Sequence, residues 1–199
     1  MSFRPVSGPG DRVALAILIA CWLSAPTALA AKVIDNLSYS TYEVDATNAR
    51  SLSKLLDNAS PHRDGDSVYY GFTKWRVGWN VQWRYGPDRR CKLTEVHTEL
   101  TASINLPTLV GASDRQVRKF EPFLAALRVH EQGHYAIGQE AAAAVDAAML
   151  ALPEMPNCDA LQAAVSATGN ETMATFKGRG AQYDAETQHG KTQGAWLND

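Results

Sequence analysis

Across residues 75–85 every odd position is apolar (Trp75, Val77, Trp79, Val81, Trp83, Tyr85), while the even positions are mostly polar. A period of two sustained that long predicts a strand with one buried face, extending back through Phe72, Tyr70 and Tyr69 to Val68. Gly86-Pro87-Asp88 predicts a turn. Residues 91–106 then predict a second strand, with Leu93, Glu95, His97, Glu99 and Thr101 on one face and Val96, Leu100, Ala102 and Ile104 on the other, ended by Pro107. Residues 33–44 alternate more weakly and suit an edge strand. Residues 45–56 predict a short helix capped by Asp45 or Thr47, burying Leu52, Leu55 and Leu56. Residues 61–66 predict a loop.

From Ser113 onward the period becomes helical. Ser113 and Gln116 have capping-box spacing. Phe120, Phe123, Leu124, Leu127, His134, Ala141, Val145 and Ala148 then repeat at helical intervals to Leu152, with Pro122 predicting a kink or restart. Pro153 and Pro156 stop this helix. Residues 158–188 predict a second helix, loosened by Gly169, Gly178 and Gly180 and closed by Gly190. The fold class is therefore α+β, an antiparallel sheet from the first half packed against two long helices.

The first thirty residues stand apart. Arg4 and Arg12 precede an apolar run over residues 13–23, too short to span a bilayer but right for a signal-peptide core. Ala28-Leu29-Ala30 supplies a cleavage pattern before Ala31, giving a signal peptide at 1–30 and a single domain at 31–199. Leu18-Ile19-Ala20-Cys21 also resembles a lipobox, with Cys21 as a lipid anchor, and an uncleaved anchor is the third possibility. All three place the domain outside the cytosol, periplasmic or secreted. Losing Arg4, Arg12 and Asp11 takes the formal charge from −2 to −3, which gives nucleic-acid binding no support. Two cysteines remain, Cys91 and Cys158; in an oxidising compartment a disulfide is expected, with two buried free thiols as the alternative.

One motif carries chemistry. His130-Glu131-Gln132-Gly133-His134 is a complete HExxH inside the first long helix. At about 100° per residue, His134 lies roughly 40° around from His130 and one turn along, so both imidazoles reach one Zn²⁺. Glu131 falls on the same side, where its carboxylate reaches water at the metal without being a ligand.

A catalytic zinc needs a third protein ligand. Glu140 stands where metzincins place a third His, but Ile137 replaces their Gly and Ala141 to Ala144 continue the helix, so Glu140 is expected to be solvated or to support a ligand. The segment Tyr183-Asp184-Ala185-Glu186-Thr187-Gln188-His189-Gly190 offers better candidates. His189 is the expected third ligand, with Asp184 as the fallback or as a hydrogen-bond partner of an imidazole. Tyr183 is expected to donate to the oxyanion of a tetrahedral intermediate. Of the other histidines, His62 sits in the predicted loop and His97 shares a polar face with Glu95 and Glu99.

These features together resemble a bacterial domain-of-unknown-function family described as predicted secreted Zn-dependent proteases. The resemblance is carried by the aromatic strand from Trp75 to Trp83, the Cys91 strand ending at Leu106-Pro107, the HExxH helix, and Tyr183-Asp184-x-x-Thr187-x-His189-Gly190. It implies a zincin-like metalloprotease acting outside the cytoplasm on a peptide or protein substrate. In the mechanism expected from the motif, His130, His134 and His189 hold Zn²⁺, which lowers the pKa of water toward about 7, and Glu131 takes the water's proton and passes it to the leaving amine. An exposed edge strand would bind an extended peptide by strand addition. Two alternatives stand beside this reading. One is a zinc-binding module closed by a fourth ligand such as Asp184; the other is a metal-free scaffold using Trp75, Trp79 and Trp83 as its binding face.

Overall fold

A computed structural model describes residues 33–198, which lie within one compact unit, Ala31–Asp199. The signal-peptide and lipid-anchor expectations fall outside the described residues. Five strands and three helices follow in the order β1 (Val33–Asp45), α1 (Leu52–Ala59), β2 (His62–Asp64), β3 (Ser67–Tyr69), β4 (Phe72–Tyr85), β5 (Cys91–Val110), α2 (Asp114–Leu150) and α3 (Cys158–Thr187), and a 3₁₀ turn spans Lys191–Gln193.

β5 is the middle strand of a sheet ordered β1-β5-β4. It pairs antiparallel with β4 from Phe72 opposite Asn105 to Tyr85 opposite Cys91, and parallel with β1 from Val33 opposite Thr98 to Asp45 opposite Val110. The sheet is thus mixed, not wholly antiparallel. Alternation fixes which face a residue occupies but carries no information about strand direction. Nor does Pro107 end β5, which runs on to Val110. The ladder with β4 stops at Asn105, so beyond it one side of β5 has no neighbour and a residue lacking N–H is tolerated.

Other boundaries moved for local reasons. α1 is capped by Ser51, whose hydroxyl accepts from the Lys54 amide at 3.2 Å, because β1 continues through Asp45 and leaves residues 46–50 as a turn. The predicted loop at 61–66 is the start of a hairpin, with β2 paired to β3 across a turn where Gly65 takes φ +56°. Ser113 and Gln116 do form a capping box, and Pro122 lies inside an unbroken α2. α3 is also continuous, and Gly169 does not interrupt it. A side chain at Gly169 would strike the Trp79 ring, and one at Gly138 of α2 would crowd Trp75. Two of the three tryptophans proposed as a binding face therefore seat in helix notches, while Trp83 stays 46% exposed.

The buried face of β5 (Leu100, Ala102, Ile104, Leu106) carries two apolar clusters. One gathers Val44, Leu52, Leu56, Phe120, Phe123 and Leu127; the other gathers Val77, Ala141, Ala142, Val145, Met149, Leu161 and Val165. Each fully buried aliphatic or aromatic side chain contributes on the order of 1.5–3 kcal/mol of transfer free energy. A disulfide joins Cys91 to Cys158, with the Cα atoms 5.1 Å apart. It ties the start of β5 to the start of α3, and Cys91 also exchanges both backbone hydrogen bonds with Met155. α2 and α3 run antiparallel, since His134 meets Asp184, Glu140 meets Arg179 and Met149 meets Gly169. The HExxH motif lies on α2 between the two apolar clusters, where a rigid helix can hold buried polar groups.

Candidate metal centre

His130 and Glu131 are 3% and 4% exposed, an expensive burial unless each polar atom finds a partner. Most do. Asp184 Oδ1 stands 2.8 Å from His134 Nε2 and 3.3 Å from His130 Nε2. The two imidazoles are near perpendicular with centroids 4.9 Å apart. On the far side of His130, Nδ1 lies 3.0 Å from Gln193 Oε1 and 3.4 Å from the Thr187 hydroxyl. A proton held on Nδ1 by Gln193 leaves Nε2 as the atom aimed at Asp184.

One atom each from His130, His134 and Asp184 can be chosen so that all lie within 4.8 Å of one another. Two imidazole nitrogens and one carboxylate oxygen form a donor set that suits Zn²⁺, and three protein donors leave a fourth position open. His189 reaches the same carboxylate more loosely, its Nδ1 3.5 Å from Asp184 Oδ1, and its side chain is 53% exposed. α3 ends at Thr187, and Gln188, His189 and Gly190 follow with φ of 50°, 53° and 82°. This left-handed turn carries the His189 ring outward against Tyr69, at 5.1 Å between centroids. The structure thus brings Asp184 to the motif histidines and leaves His189 at the rim.

Burial works to raise the Asp184 carboxyl, but hydrogen bonds from both motif histidines and the nearby charges of His134 and His189 hold it well below the usual carboxylate range. For His130, desolvation works to lower the pKa and is outweighed by Asp184, Glu131 and Gln193, so the net shift is upward. Both directions describe a site built around charge.

Glu131 is held apart from this cluster. The Thr73 hydroxyl of β4 lies 2.7 Å from Glu131 Oε2 and 3.0 Å from the Glu131 carbonyl. Gly71, just before β4, leaves no room for a side chain, since an added Cβ would fall 2.6 Å from Glu131 Oε1. Burial pushes the Glu131 carboxyl up, against the Thr73 hydrogen bond and the motif histidines. A carboxylate with raised proton affinity, fixed beside a set of metal-type donors, has the properties of a general base.

Tyr183, the expected oxyanion donor, is engaged with His130 and Gln193. Its ring stacks on His130 at 5.0 Å and 10°. Its hydroxyl donates to the His130 carbonyl at 3.2 Å and accepts from Gln193 Nε2 at 3.0 Å. That arrangement braces His130 from behind. Glu140 is half exposed and pairs with Arg179, and His97 pairs with Glu95 at the surface. His62 stacks on Phe72 and bonds Asn105 Oδ1 at 2.8 Å.

Thr73, Gly71 and Gln193 drew no attention in the sequence. Thr73 and Gly71 are ordinary members of a strand entry, and only their contact with Glu131 distinguishes them. Gln193 lies past Gly190, and its role depends on the left-handed turn that folds the tail back onto His130.

His130, Glu131, His134, Asp184 and His189 line a cleft of about 780 Å³ bounded by β3, the start of β4, α2, α3 and the tail. The model of one family, Bacterial protein of unknown function (DUF922), matches residues 39–190. The chain belongs to this family. The match takes in β4, β5, the second half of β1, both long helices and all three residues of the cluster, so this DUF922 chain carries the centre inside its family core. No curated protein and no solved structure matches the chain. Among the described residues of the DUF922 chain, no helix is long and apolar enough to cross a membrane.

Proposed function

We propose that the protein is an exported zinc-dependent peptidase in which His130, His134 and Asp184 hold the metal and Glu131 is the general base. The observation that carries this reading is the division of the two carboxylates. Asp184 faces both motif histidines, whereas Glu131 is turned onto Thr73, beside the donor set but outside it. Export is supported by the signal-type segment at 1–30 and by the Cys91–Cys158 disulfide.

Zinc held there supplies Lewis acidity, polarising a scissile carbonyl and lowering the pKa of water toward about 7. His130 and His134 present nitrogen donors fixed by helix geometry, and Gln193 and Tyr183 hold the His130 ring in place. Glu131 accepts a proton from the attacking water and returns it to the leaving amine. Thr73 and Gly71 keep that carboxylate in one orientation. The cleft of about 780 Å³ gives a polypeptide a route to these groups.

A closed structural zinc site is the second reading, favoured by His189 Nδ1 lying 3.5 Å from the Asp184 carboxylate. In it, His189 would complete four protein donors and hydrolysis would be absent. The test is metal analysis of the mature protein together with cleavage of an unfolded-protein substrate by wild type and Glu131→Gln. Stoichiometric zinc in both, with cleavage by the wild type alone, supports the peptidase. Zinc in both with no cleavage of a broad peptide library by either protein moves the assignment to the closed site. Absence of zinc from protein purified with zinc present overturns both.

A further inference from the structure

The formal charge of the chain is negative, yet the cleft rim is not. Lys74 from β4, Lys177 from α3 and Lys191 from the 3₁₀ turn line one opening, and all three are exposed. None takes part in an ion pair among the described residues. The Lys191 ammonium instead lies 4.0 Å from the centre of the Trp196 ring. At the hairpin edge Arg63 and Asp64 offset each other in charge, and the remaining acidic lining groups, Glu131 and Asp184, are engaged inside the site. Two large apolar side chains share this opening, Phe72 at 44% and Trp196 at 55% exposure.

We infer that this cleft selects acidic polypeptide segments carrying an aromatic or aliphatic side chain beside the acidic residues. Unpaired cations converging from three elements would repel a basic segment and attract an acidic one, and their field is focused where the cleft walls exclude water. Phe72 and Trp196 offer the apolar surface that would otherwise stay wetted. This rests on the peptidase reading for its choice of a polypeptide over other polyanions.

The experiment measures binding, so it does not depend on turnover. Fluorescein-labelled hexapeptides with a central Leu-Phe pair are compared by anisotropy, flanked by Asp/Glu, by Ser, or by Lys/Arg, using the mature protein with zinc and after chelation. The acidic peptide is expected to bind about tenfold tighter than the serine peptide at low salt, as two or three exposed ion pairs imply, with the gap narrowing as salt rises. The surface double change Lys74→Glu/Lys177→Glu should reverse the preference while leaving the melting temperature near wild type. Equal affinity for all three peptides, or a basic preference, overturns the inference even if peptides are cleaved. Acidic preference in the chelated protein supports it even if no peptide is cleaved, which is the outcome that would count against the peptidase. Competition by dextran sulfate at the same charge concentration as well as by the acidic peptide, with no added effect of the Leu-Phe pair, overturns the polypeptide assignment in favour of a polyanion.

Discussion

The hydroxyl of Tyr183 fills the space that Gly133 leaves by having no Cβ; an added methyl there would overlap the hydroxyl and Cζ of the tyrosine. Gly133 is the fourth residue of the HExxH motif, so a position the pattern leaves open is specified by packing. The close approach lets the ring lie flat on His130 and reach Gln193.

Gly133→Ala should therefore destabilise the protein although alanine is the better helix former. Gly178 and Gly180 of the same helix pair provide the contrast, because a Cβ at either meets nothing within 4 Å. Their alanine substitutions should each raise stability by roughly 0.5–1 kcal/mol. Gly133→Ala should instead lower it by about 1–3 kcal/mol through overpacking. In a Tyr183→Ala background the sign should turn favourable. Urea denaturation of the wild type, the four single variants and the Gly133→Ala/Tyr183→Ala double variant checks this, and additivity of the two site changes would disprove the contact.

Thr73 holds Glu131 from a strand that the motif does not include. Thr73→Val should keep zinc at wild-type stoichiometry and reduce kcat by about 10–100-fold, the usual cost of losing a residue that orients a working group. Thr73→Ser keeps the donor and should recover most of the rate. Equal loss in the Ser and Val variants would mean that strand packing, and not the hydroxyl, is what matters.

Burial pushes the Tyr42 phenol up to about 12, against a hydrogen bond with Ser60. Its hydroxyl donates to the Tyr70 carbonyl at 2.8 Å, one residue before Gly71, and so anchors the segment that covers Glu131. The folded chain binds this proton more tightly than the unfolded chain does. The contribution is therefore complete below about pH 10, the ordinary tyrosine value, and is lost as pH rises from there through about 12. Tyr135 is also raised to about 12, by desolvation and by the Asp35 carboxylate to which it donates. Ultraviolet titration of the folded protein should show two phenols ionising near 12. Tyr42→Phe should remove one of them and flatten the alkaline fall in stability.

The pattern of positions carried the three long strands, both long helices and the motif, because burial of one face writes itself into the sequence with period two or 3.6, whereas the short β2–β3 hairpin was hidden in a predicted loop and in the start of a longer strand. β1 beside β5 was expected as an edge strand, and it is one, but its parallel direction left no trace in the alternation. Pro107 misled because a missing N–H is costly only where a neighbouring strand waits for it. At the site, the segment from Tyr183 to Gly190 packs on the motif helix, and which of its side chains faces the two histidines was not legible in the sequence. Asp184 lies within α3, where helix geometry aims its side chain at α2. His189 lies two residues past the helix end, and the sequence does not display the left-handed turn that swings its ring to the rim.

That difference in placement separates the two donors experimentally. Asp184 Oδ1 is within 3.3 Å of both motif imidazoles, while His189 meets Asp184 at 3.5 Å, lies against Tyr69 and is half exposed. If Asp184 is the third ligand, Asp184→Asn should weaken zinc binding by more than about 100-fold, beyond what loss of a supporting residue costs, whereas His189→Gln should weaken it by about tenfold or less. Stability supplies an independent readout, because a metal bound only by the folded chain stabilises it by about 2.7 kcal/mol at a hundred times its dissociation constant. Zinc added to the chelated wild type and to His189→Gln should therefore raise the melting temperature of both, and should leave Asp184→Asn nearly unmoved. A variant of His130 or His134 to Ala should behave like Asp184→Asn. The reverse order, with His189→Gln blind to zinc and Asp184→Asn still responsive, would return the third position to His189 and make Asp184 the group that orients the imidazoles.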